Sequence, residues 1–167
     1  MSLFVSRSTT SQNAFYKVIG LLRLLNLAYH HAHINAKGES YYGDHLLLQR
    51  LYEEGSSIEE IDSVMERMKG LFPEVPVSLS TVLKEVEHYA RQFKAYDAST
   101  GTNPWPILIA IEMELQHQLD KAYKSVGEVK ELAILDSGVA NLLQGVADNH
   151  QKNLYLLQER NMKELTP

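Results

Sequence analysis

The chain has no cysteine. That excludes a disulfide framework and any thiolate metal site, so a bound metal would have to be held by nitrogen and oxygen donors. It also suits a reducing compartment, and the cytoplasm is the expected location. Long apolar runs are missing too. The most apolar stretch, Val18 to Ala28, is interrupted by Arg23 and Asn26 and is too short to span a bilayer, so no membrane association is expected. The first residues, MSLFVSRSTTSQ, lack a basic segment followed by an apolar one, so no signal peptide is expected. Basic charge is in deficit: 16 Lys and Arg stand against 21 Asp and Glu, a net charge of −5. That sign argues against a surface devoted to nucleic acid or anionic lipid.

What is present describes one soluble all-α domain. A length of 167 residues, 44% of them hydrophobic and 22% charged, is enough for a single real core. Residues 1–10 carry one charge, Arg7, and several Ser and Thr, and read as a flexible tail. From Ser11 the apolar positions Phe15, Val18, Ile19, Leu22, Leu25, Ala28 and Tyr29 recur at helical spacing, and Gly38 is placed to stop that helix. A second helix begins near Ser40 and is interrupted at Gly55-Ser56-Ser57. Ser57 followed by Glu60 has the form of a capping box, which predicts a fresh start with Ile58, Ile61, Met65, Met68 and Leu71 inward. Pro73 and Pro76 mark a connector, Leu79 to Tyr96 a short helix, and Ala98 to Asn103 a loop. Asn103-Pro104 opens a long helix that ends at Gly127, and a last helix runs from about Asp136 to Met162, leaving 163–167 as a tail. Nothing reads as a strand. Long helices with short connectors predict a four-helix bundle over 11–162, with a small helix between the second and third long ones.

The chemistry is concentrated between Tyr29 and Glu66. Histidines stand at 30, 31, 33 and 45, His33 near the end of one helix and His45 near the start of the next. Asp62 and Glu66 follow, four residues apart and therefore on one helix face. Imidazole and carboxylate together suit a first-row transition metal such as iron. The same residues also suit a polar helix end and a solvated acidic face.

The run His33-Ile34-Asn35-Ala36-Lys37-Gly38, followed by Tyr41 and His45, resembles the signature of the Dps family of ferritin-like proteins. Ile61 to Arg67 resembles that family's acidic stretch, and Asp136 to Leu143 with Asn149 to Lys152 its last helix. The resemblance implies a ferritin-like bundle that assembles into a hollow homo-oligomer, a dodecamer. It implies a ferroxidase that oxidises Fe(II), with hydrogen peroxide as the expected oxidant, and stores the ferric mineral. The implied metal and catalytic residues are His33 and His45 of one subunit and Asp62 and Glu66 of its neighbour across a two-fold axis. Gln49 and His30 are further possible ligands. Gln49 stands where the family usually has a carboxylate, and Ile34 where it usually has tryptophan.

Two alternatives remain open. One is a structural or DNA-compacting particle of the same fold with a weakened iron site. Against its DNA-binding form stand ends that carry only Arg7 and Lys163, so weak or absent DNA binding is expected. The other is an intrachain di-iron site built on Glu85/His88 and Glu114/His117, each a Glu-x-x-His unit. His31 reads as surface and His150 as structural.

Overall fold

The apolar positions of the first helix are a core face in the computed structural model, which describes residues 2–99, 103–127 and 136–165. Phe15, Val18, Ile19, Leu22, Leu25 and Tyr29 are all fully buried, and so is Leu21 on the flank of that face. This helix, α1 (Ser2–Asn35), packs against α2 (Tyr41–Arg50), α3 (Ile58–Leu71), α4 (Leu79–Gln92) and α5 (Trp105–Gly127). A helix surrounded in this way must be apolar on more than one side. The last helix, α6 (Asp136–Leu165), packs on α5 and closes on α3. No strand occurs among the described residues. The architecture is a ferritin-like helical bundle, with α4 as the small helix between the second and third long segments. None of its described helices is long and apolar enough to cross a membrane.

The helix boundaries follow local chemistry. Ser57 accepts a hydrogen bond from the Glu60 amide at 3.1 Å, and Ser78 accepts one from the Thr81 amide at 3.2 Å. The Trp105 amide donates to Asn103 Oδ1 at 3.1 Å. Each cap satisfies one of the amides that a helix start leaves without an internal partner. Gly38 turns the chain after α1 with φ +90°, a conformation that favours glycine.

Three expectations are corrected. α1 begins at Ser2 rather than near Ser11, so residues 2–10 continue the first helix; extending an existing helix avoids the cost of nucleating a new one. α6 likewise runs beyond Met162 to Leu165. Ile58 faces outward, 53% exposed, because it is the first residue of α3 and lies off the stripe formed by Ile61, Val64, Met68 and Leu71. Of the loop expected over Ala98 to Asn103, residues 100–102 lie outside the described residues, as do 166–167 of the C-terminal tail.

The interruption of the second long helix takes a definite form. α2 passes into a π-helical turn, Leu51–Gly55, before Ser56 and Ser57 lead into α3. Asn26 of α1 donates to the carbonyls of Tyr52, at 3.1 Å, and Ser56, at 2.8 Å. From the opposite side, Asn153 of α6 donates to the Gly55 carbonyl at 2.8 Å. A π turn disturbs the α-helical ladder, and these amides satisfy carbonyls that the disturbance releases.

Candidate metal centre

His33 lies in the last turn of α1 and His45 in the first turns of α2, and the tight connection through Gly38 folds one ring onto the other. Their centroids are 3.8 Å apart with planes inclined by 26°. Nδ1 of His33 lies 2.9 Å from the His45 carbonyl, and Nδ1 of His45 lies 3.2 Å from the His33 carbonyl. A carbonyl only accepts, so each Nδ1 carries the proton and each Nε2 is left as a lone-pair donor. Reciprocal pairing thus sets both tautomers in the form that binds a metal through Nε2. His33 is buried and His45 half-buried.

Around this pair stands an aromatic shell. His30 stacks on His33 at 6.4 Å, and the Tyr52 ring meets His30 edge-on at 4.9 Å and His33 at 5.3 Å. His31 is exposed, as expected. Gln49, one turn beyond His45, donates from Nε2 to Glu53 Oε1 at 3.0 Å, and the Tyr52 hydroxyl donates to the same oxygen at 3.3 Å. Burial first, then the Glu53 charge and hydrogen bond, raise the Tyr52 phenol above its ordinary value.

Asp62 and Glu66 are both exposed on α3. Among the described residues, no three or more His, Asp or Glu side chains stand where they could hold one metal ion. Within one chain the two imidazoles of α1 and α2 and the two carboxylates of α3 are separate groups.

A second polar cluster lies in the middle of the bundle, and sequence reasoning missed most of it. His150 of α6 is fully buried between two glutamates. Its Nδ1 lies 2.7 Å from Glu112 Oε2 of α5 and its Nε2 lies 2.9 Å from Glu60 Oε2 of α3. The Tyr29 hydroxyl of α1 donates to the other oxygen of Glu112. Carboxylates only accept, so both ring nitrogens bear protons and the ring is an imidazolium. Burial alone would lower the His150 pKa. The charges and hydrogen bonds of Glu112 and Glu60 outweigh it and raise the pKa to about 9. Burial, with the Glu112 charge and hydrogen bond, holds the Tyr29 phenol well above its ordinary range. In four-helix di-iron proteins the bundle centre collects carboxylates and histidines from all four helices. Here the same place is filled by a proton-mediated network. A signal for it was available: Glu112 falls on the apolar face marked by Ile111 and Leu115. Glu60 was masked by its position in a capping box; its amide does meet Ser57, but its carboxylate turns inward.

The alternative intrachain set is not brought together. His88 and His117 are exposed, while Glu85 and Glu114 are half-buried. Glu114 accepts from Gln118 Nε2 at 2.6 Å. Glu85 packs where α4 crosses α1, so closely that a Cβ at Gly20 would stand 2.5 Å from its own. Burial first, then the charges of Glu114 and Glu85, raise the phenol of Tyr89.

No protein-family model matches the chain. No curated protein sequence matches it either. Its structure is similar to the crystal structure of a DPS protein from Vibrio cholerae O1, described as a member of a broad superfamily of ferritin-like diiron-carboxylate proteins. The likeness has a TM-score of 0.69 at 19% sequence identity and covers 92% of this chain and 90% of that one. At that identity the likeness establishes the fold.

Proposed function

With that fold as the premise, we propose that the chain is a Dps-like ferroxidase and iron store that works as a closed homo-oligomer. The observation that carries the reading is the reciprocal Nδ1–H to carbonyl pairing of His33 and His45, which leaves two Nε2 lone pairs side by side. Fe(II) is the substrate. The two imidazoles hold it at neutral pH, and Asp62 and Glu66 of the partner subunit supply the negative charge that Fe(III) requires. Two ferrous ions then give one electron each to hydrogen peroxide; with two protons this yields two waters and no hydroxyl radical. The ferric product is stored as mineral inside a shell, the dodecamer of the Dps resemblance. A site split between subunits requires a symmetric interface that carries each half twice. The cytoplasm is the proposed location, and DNA binding is weak.

Complementation tests the shared site. His33→Ala and Asp62→Ala should each abolish rapid Fe(II) oxidation by peroxide. In a mixed two-fold pair, one interface site loses both groups and the other keeps both. Verified mixed assemblies should therefore recover up to half the wild-type rate. Recovery no greater than that of the separate variants would reject the shared site.

A further inference from the structure

The π turn is supported from both sides, yet the core gains no side chain from Glu53 and Glu54, which point outward. Asn26 ties its carbonyls to α1, and Asn149 and Asn153 tie them to α6 at 3.3 and 2.8 Å from the Gly55 oxygen. A Cβ at Gly55 would meet the Asn153 amide at 2.7 Å, so any larger residue there would push that amide aside. Such insertions persist in helices where they place a functional group.

Glu53 lies within this turn. Its Oε1 takes both the Gln49 amide and the Tyr52 hydroxyl, while the Tyr52 ring lies against His33 and His30. The hydrogen bond also orients Gln49. Only the amide nitrogen can donate to a carboxylate, so the Gln49 oxygen is the atom left to accept or to bind a cation. One helical turn beyond His45 the chain therefore presents an amide oxygen and, one turn further, a carboxylate.

We propose that Glu53 is the same-chain carboxylate of the histidine site, delivered by the π turn to do the work of the acidic residue that position 49 lacks. The inference rests on the iron-site reading above. Glu53 is exposed, held by its hydrogen bonds from Gln49 and Tyr52. An arriving divalent cation draws it from its two neutral donors toward the imidazoles, because a cation attracts a carboxylate more strongly than an amide or phenol does.

The test is anaerobic titration of the assembled full-length protein with Co(II), read by its visible absorption and by calorimetry. Glu53→Gln should weaken binding about tenfold or more, the scale typical for loss of a group that supports metal ligands. Its melting temperature should stay at the wild-type value, since the side chain is exposed. Glu53→Asp should keep part of the affinity. The double exchange Gln49→Glu with Glu53→Gln should restore it, because one amide and one carboxylate are again present. His33→Ala should remove binding altogether. If Glu53→Gln binds Co(II) as the wild type does while His33→Ala does not, the role of Glu53 is overturned and the histidine site stands. If His33→Ala also binds normally, the histidine site itself is overturned.

Discussion

A histidine held between two buried carboxylates ties folding to pH. His150 has a pKa of about 9 in the folded chain against about 6.5 when unfolded. The folded state therefore binds the proton more tightly. The stabilisation is complete below about pH 6.5 and is lost as pH rises through 9. The two values differ enough for about 3 kcal/mol. Urea unfolding between pH 6 and 10 should show that decline, and His150→Gln should flatten it. Removing the ring is a harsher change. His150→Leu leaves Glu112 buried without its counter-charge and should cost about 3–5 kcal/mol at pH 7, read as a lower urea midpoint. Tyr29→Phe removes one donor to the same carboxylate and should cost about 1–3 kcal/mol.

Between α2 and α3, two serines and a glycine mark an interruption, and the capped start at Ser57 is legible from Ser57 and Glu60 alone. The form of the interruption is not. Whether a helix breaks or accommodates an extra residue as a π turn depends on who satisfies the released carbonyls. Here those partners are Asn26, far earlier in the chain, and Asn149 and Asn153, far later. Asn26→Ala should therefore destabilise the element by about 1–3 kcal/mol, the cost of leaving buried carbonyls unpaired. Hydrogen exchange at residues 51–57 should rise with it, and unchanged protection there would show that Asn26 does not hold the turn.

For the whole molecule, the proposed site pairs the exposed carboxylates of α3 with the histidine pair of α1 and α2 from a second copy of the chain. Assembly through a two-fold interface would bring them together, and light scattering at micromolar concentration should show a closed oligomer and no stable monomer. The negative net charge and sparse basic ends make a further expectation at this scale. In a gel-shift assay at physiological salt the assembly should retain little or no duplex DNA, since few phosphates can be neutralised.

The sequence by itself determined the helices and the core. Helical periodicity, serine and asparagine caps and Gly38 are local signals, and the buried stripe of α1 follows directly from them. It also brought His33 and His45 together, because a short glycine-turned connection leaves their helix ends nowhere else to go. What only the tertiary structure decided are the partnerships between distant residues. Glu60, Glu112 and His150 are separated by tens of positions, and each alone reads as a cap, a break in a stripe and a polar helix residue. Their role appears when α3, α5 and α6 converge, because a buried carboxylate must find a proton or a cation, and packing determines which one is within reach.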